Sequence, residues 1–203
     1  MRAASILLSV GLAALFLACG CGRLKHSADT KALDQAGMWF NSVAELRQLG
    51  VTDVEVQELL PVRQAGASDA TCVELVRIAH DRHQPFADGP AIANLIDAGF
   101  KENSVLALAR LNQLGLWTGE AEAMRLAGLS DDVVLAVAQR RADGKPVLSS
   151  AKIADLRNAG LSEKEILEQI HSGATDAQAD DLIYRRNFLA GGHSFVHQTG
   201  RRR

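Results

Sequence analysis

Aromatic residues are scarce in this chain: six Phe, two Trp and one Tyr make up 4% of 203 residues. A large aromatic-lined sugar site is therefore not expected. Proline is scarcer still, at four residues. Three cysteines cannot build a disulfide scaffold. Past residue 18 no apolar run approaches the roughly 20 residues of a membrane-spanning helix. Also missing are a Gly-x-Ser-x-Gly elbow, a phosphate-binding Gly-rich loop and a Cys/His cluster, so no cofactor or metal is expected. Alternating strand patterns are nearly absent, which excludes sheet architectures.

What the chain does have begins with its leader, MRAASILLSVGLAALFLACGC. Arg2 supplies a positive start, and Ile6 to Ala18 form an apolar core broken by Ser9 and Gly11. A core of about 13 residues has the length of a secretory signal and is short for a membrane span. Its end, Leu15-Phe16-Leu17-Ala18-Cys19, resembles the lipobox of bacterial lipoproteins, although Phe16 stands where that family prefers Leu. The resemblance implies that Cys19 is acylated after cleavage, with Cys21 as the alternative site. It also implies lipid attachment to a membrane of the bacterial cell envelope. Each buried methylene contributes about 0.8 kcal/mol, so two or three acyl chains hold stably where one holds marginally. An ordinary secretory signal or an uncleaved anchor is the plainer alternative.

Cleavage before Cys19 leaves 185 residues, enough for one domain with a true core. The expected organisation is a leader (1–18), a polar tether (19–37), a helical repeat domain (38–181) and a basic tail (182–203). Charge follows this division. Residues 19–181 hold 16 Lys/Arg against 24 Asp/Glu, a balance of −8. Residues 182–203 hold Arg185, Arg186, Arg201, Arg202 and Arg203 with no acid. An acidic body with a basic tail suggests intramolecular docking or a polyanionic partner, against the blander reading of a solvated end.

The body repeats a unit that aligns on Gly50, Gly66, Gly99, Gly128 and Gly160. An apolar residue stands four before each glycine (Leu46, Val62, Leu95, Met124, Leu156). Another stands six after it (Val56, Cys72, Val105, Val134, Ile166). Two after it comes Thr52, Ser68, Lys101, Ser130 or Ser162, all but Lys101 able to cap a helix. With Lys101 a poor cap, Asn103 could start that helix slightly later. An acid follows in the next turn (Asp53, Asp69, Glu102, Asp131, Glu163), where the helix dipole favours it. Each unit therefore reads as helix, glycine corner, helix. Because Gly50 to Gly66 is about half the later spacing, the helix after Gly50 should double as the first helix of the next unit, with Pro61 kinking or interrupting it. The fold class is all-α: an irregular array of short helical hairpins, either a compact helical domain or a short solenoid. Cys72 is expected as a buried thiol, and Met38-Trp39-Phe40 as an N-terminal hydrophobic lid. Trp117 marks a possible bend between units.

Candidate chemistry is thin. His80 and His83 are three apart on one helix, but no second ligand pair accompanies them. Gly191, Gly192 and Gly200 argue against a helix that would align His193 with His197. Segments such as LRNAGLSEKEILEQI resemble the turn of helix-turn-helix regulators. Their second helices are acidic, however, and the position four before the glycine is large, so nucleic acid is a disfavoured partner. The leading expectation is an envelope-anchored protein with a non-catalytic interaction or structural role and an unknown envelope protein as partner. An envelope enzyme, or an accessory subunit of one, is the alternative. The candidate partner-binding residues are Arg185, Arg186, Arg201, Arg202 and Arg203.

Overall fold

A computed structural model describes residues 28–114 and 118–191. Among the described residues there are eleven helices and no strand. They are α1 (Lys31–Gln35), α2 (Phe40–Leu49), α3 (Asp53–Gln64), α4 (Asp69–Asp81), α5 (Gly89–Asp97) and α6 (Glu102–Arg110). Then follow α7 (Thr118–Leu126), α8 (Asp131–Ala142), α9 (Ser150–Asn158), α10 (Glu163–Ser172) and α11 (Asp176–Gly191). Odd-numbered helices pack on odd ones and even on even, so the chain zigzags between two rows. One continuous apolar layer runs between the rows, including Leu33, Leu46, Leu59, Ile92, Met124 and Ile170. Each hairpin buries its apolar stripe against its neighbours, as helical repeats require. Packed helices lie outside residues 38–181 at both ends: Leu33 of α1 is fully buried, and α11 runs on to Gly191.

Ten corners connect these helices, and they lie on two opposite edges. On the first edge, Gly37, Gly66, Gly99, Gly128 and Gly160 turn each odd helix into the next even one, all with φ between +76° and +96°. The Gly66 corner shows the local physics. Gly66 N–H donates to Arg63 C=O and Ala67 N–H donates to Val62 C=O, which satisfies carbonyls left free at the end of α3. The residue after each of these glycines (Met38, Ala67, Phe100, Leu129, Leu161) is buried in the core. Gly50 does not belong to this edge. It turns an even helix back to an odd one, together with His83, Asn112, Gly144 and Gly173, which also have positive φ. The true first corner is Gly37, whose short preceding helix hides it from the pattern. With Gly37 in place of Gly50, the first-edge spacings become 29, 33, 29 and 32 residues.

Three further expectations change. Helix α3 runs through Pro61 without interruption, its last turn closed by Ala65 N–H donating to Pro61 C=O. The aromatic lid does not form: Met38 is buried, whereas Trp39 and Phe40 are 75% and 73% exposed. Helix α6 begins directly after Lys101, not at Asn103, because Lys101 N–H is taken by Asp131 Oδ2 of the neighbouring unit at 3.0 Å.

That contact belongs to a ladder. Trp39 N–H donates to Asp69 Oδ2 (2.7 Å) and Ser130 N–H donates to Glu163 Oε1 (2.9 Å). On the opposite edge, Asp29 N–H donates to Asp53 Oδ1 (2.8 Å) and Ser149 N–H to Asp176 Oδ1 (3.0 Å). The first-turn acids therefore do more than complement their own helix dipole; they cap the helix of the preceding unit. Arginines add a second ladder. Arg63, Arg125 and Arg186 donate to the carbonyls of Gly37 (3.1 Å), Gly99 (3.1 Å) and Gly160 (2.9 Å). Arg63 and Arg125 also hold the corner carbonyls of Ala67 and Leu129. Charge-assisted bonds of this kind fix the register between units.

Candidate binding groove

The edge that carries Gly37, Gly66 and Gly99 presents the first turns of α2, α4 and α6 side by side. Between them lies an open groove of about 780 Å³. Its floor is small or apolar (Ala70, Val73, Leu106), because α4 and α6 put their larger apolar residues into the core. Its walls are polar. Trp39, the residue just before α2, stands at one end with its indole in solvent. Asn41 and Asn103 line the same groove on α2 and α6, both exposed. An asparagine amide both donates and accepts, so it can bond to either polar group of a peptide backbone.

Four carboxylates (Glu45, Asp69, Glu74, Glu102) and the Arg77 guanidinium line the groove, and Arg63 pairs with Asp69 from behind at 3.3 Å. Arg77 pairs with Glu74 at 2.6 Å and with Glu45 at 2.5 Å, so it bridges α2 and α4. Arg110 reaches Glu74 from α6 at 2.8 Å. The Arg110 guanidinium, aided by Arg77, holds the Glu74 carboxyl below its ordinary value. At Glu102, burial raises the carboxyl, but hydroxyl donors from Ser68 and Thr71 outweigh it and leave it lowered. Glu74 and Glu102, both held lowered, are therefore ionised at neutral pH. Such a groove can bind and orient a cationic or hydrogen-bonding chain.

A second cluster has the residue types of an acid–base pair. Glu55 Oε1 lies 2.6 Å from His80 Nε2 and accepts from Phe86 N–H at 2.9 Å. Its other oxygen takes Thr52 N–H and the Thr52 hydroxyl in a capping box. Burial raises this carboxyl, and the four hydrogen bonds together outweigh it and hold it lowered. Glu55 is 1% exposed, and the small cavity near the α4–α5 loop, about 40 Å³, is lined by neither Glu55 nor His80. The pair ties the start of α3 to the end of α4 and the following loop. Its chemistry is structural.

Of the residues singled out in the sequence, His83 lies past the end of α4 at a left-handed corner, its N–H donating to the His80 carbonyl at 2.8 Å. No group of three potential metal ligands occurs among the described residues. Arg186 belongs to the helical stack, paired to Glu165 at 3.0 Å and to the Gly160 carbonyl. Arg185 is exposed beside Asp181 at 3.8 Å. Cys72 is fully buried as expected, and burial pushes its thiol up to about 12. Cys19, Cys21, Trp117, His193, His197, Arg201, Arg202 and Arg203 lie outside the described residues. No described helix is long and apolar enough to cross a membrane. The groove itself escaped the sequence reading. Its one available signal was an asparagine four after a corner glycine, Asn41 and Asn103, in the first and third units.

The chain matches no family model, no curated protein and no solved structure.

Proposed function

We propose that this protein is a lipid-anchored component of the bacterial cell envelope whose helical stack presents the groove of α2, α4 and α6 to a partner protein, without catalysis. The groove carries this reading. Its charged groups are already locked by Arg77, Arg110, Ser68 and Thr71, while Trp39, Asn41 and Asn103 remain open to a ligand. That division suits recognition: a preformed polar wall needs little ordering when a partner arrives. The lipobox-like leader ending at Cys19 supports the address.

The test is site-specific photocrosslinking in native membranes. A photoreactive residue at Asn41 or at Asn103 is expected to yield the same adduct, and Arg77→Glu is expected to abolish both. The same probe at Leu126, exposed on α7 in the other row, is the control. Adducts from Leu126 with none from the groove would overturn the proposal.

A further inference from the structure

We propose that α11 is a dimer interface: its exposed face packs antiparallel against the same face of a second copy, about a two-fold axis near residue 183. The contact does not involve the groove, so it goes beyond the partner-protein reading. Three observations carry it.

The first is an unpartnered apolar face. Tyr184, Phe188 and Leu189 are 71%, 69% and 72% exposed, and no other described helix leaves three large apolar side chains in solvent. At 100° per residue, Ala177, Asp181, Tyr184 and Phe188 fall on one strip of α11. That strip lies opposite Ala179, Leu182 and Ile183, which pack into the stack. The rings of Tyr184 and Phe188 stack along it with centroids 6.4 Å apart, so the ridge is set before a second copy arrives.

The second is length. Helix α11 has 16 residues, against nine in each of α5, α7 and α9 of the same row. Its start is tied to that of α9 by Ser149 N–H donating to Asp176. Arg186 reaches the Gly160 carbonyl at the corner where α9 ends. Residues 187–191 therefore run on about 7.5 Å past that corner. So short a stretch gains little from helix propensity and draws its stability from packing. Phe188 and Leu189 are the side chains it offers for that.

The third is self-complementarity. Asp180 is committed to Lys152 at 2.6 Å and Arg186 to Glu165 at 3.0 Å. Asp181 and Arg185 stay on the exposed face, 3.8 Å apart and three-quarters in solvent. An antiparallel copy centred near residue 183 sets Asp181 of each chain against Arg185 of the other, which fixes the register. The same register lays Phe188 and Leu189 over Ala177 of the second copy, large against small. Isologous two-fold contacts are the commonest in homo-oligomers. Four rings of about 150–250 Å² each, about 70% exposed, bring about 400–700 Å² to the interface. Leu189 and the stems of Asp181 and Arg185 raise this to about 1,000 Å², the lower bound for a specific dimer.

Sedimentation of the full-length chain, from micromolar to millimolar concentration, tests the proposal. A monomer–dimer equilibrium is expected. Asp181→Arg and Arg185→Asp each set like charges across the axis twice, and each weakens association about tenfold. An equimolar mixture of these two variants restores it, because each chain then faces its opposite. Phe188→Ala removes two rings from one interface and weakens association about 30-fold or more. Circular dichroism of every variant at low concentration matches the parent, which separates lost association from lost folding. A chain that stays monomeric at millimolar concentration overturns the proposal. So does a dimer that persists in all three variants, or one that the charge variants weaken without recovery on mixing.

Discussion

Substituting Gly89 by alanine tests the packing of the two most closely apposed helices, α3 and α5. Gly89 opens α5, and a Cβ built on it would lie 1.8 Å from the Glu58 carbonyl oxygen and 2.7 Å from its carbonyl carbon. Both are backbone atoms in the middle of α3, so no side-chain rotation relieves the clash. The helices must move apart. Separation also stretches the bond from Gly89 N–H to Glu58 Oε2, now 2.9 Å. Overpacking costs about 1–3 kcal/mol, and a weakened bond to a charged group adds about 1.5 kcal/mol or more. The sum is about 2.5–4.5 kcal/mol, which for a domain of this size lowers Tm by roughly 5–18 °C. Gly119 is the control. It too lies in the first turn of a helix, α7, but nothing stands within 4 Å of its would-be Cβ. Gly119→Ala should stabilise by about 0.4–1 kcal/mol through the unfolded chain. Guanidinium unfolding of both variants, compared at equal slope, reads the difference. A Gly89→Ala protein as stable as the parent would refute the close approach of α5 to the α3 backbone.

Other consequences follow from the same contacts. Arg125→Ala removes bonds to the Leu129 and Gly99 carbonyls and the contact with Asp131 at 3.5 Å. It should cost about 1–3 kcal/mol, measured by denaturant unfolding, and the loss should shrink when Asp131→Asn is already present. Glu55 is held below its ordinary value, so its stabilising contribution is complete above about pH 4.5 and lost as pH falls through the lower folded value. Unfolding measured from neutral to acid pH should therefore decline less steeply in Glu55→Gln than in the parent. Cys72, buried and raised to about 12, should resist thiol reagents at neutral pH until the domain unfolds, with labelling mapped by peptide mass.

Much of this fold is written in local sequence, for a physical reason. A corner glycine, a capping hydroxyl and apolar residues at helical spacing act within one hairpin, so Thr52, Ser68 and Ser162 cap their helices as the pattern implies. What escaped depends on neighbours about 30 residues away. Asp69 and Asp131 look like dipole complements until the stack brings them onto Trp39 and Lys101 N–H groups. Gly37 was hidden because a one-turn helix precedes it and Trp39, not Ser or Thr, stands at its cap. His83 and Asn112 turn corners without glycine and so broke the second series. The groove was less legible still. Apolarity suggested burial for Trp39 and Phe40, but only stacking decides which side of a helix lacks a neighbour. The arginine pattern was misleading for a related reason: Arg186 spends its charge on the Gly160 carbonyl and Glu165 inside the stack.

Where the groove works depends on the leader, and the direct measurement is mass spectrometry of the mature N-terminal peptide from native membranes, beside a Cys19→Ser variant. A diacylglyceryl-modified Cys19, absent from the variant, is the predicted result and places the stack at the envelope. Modification at Cys21 keeps the address and moves the cleavage site. An intact, unmodified Met1 in the soluble fraction would contradict the lipid-anchored account.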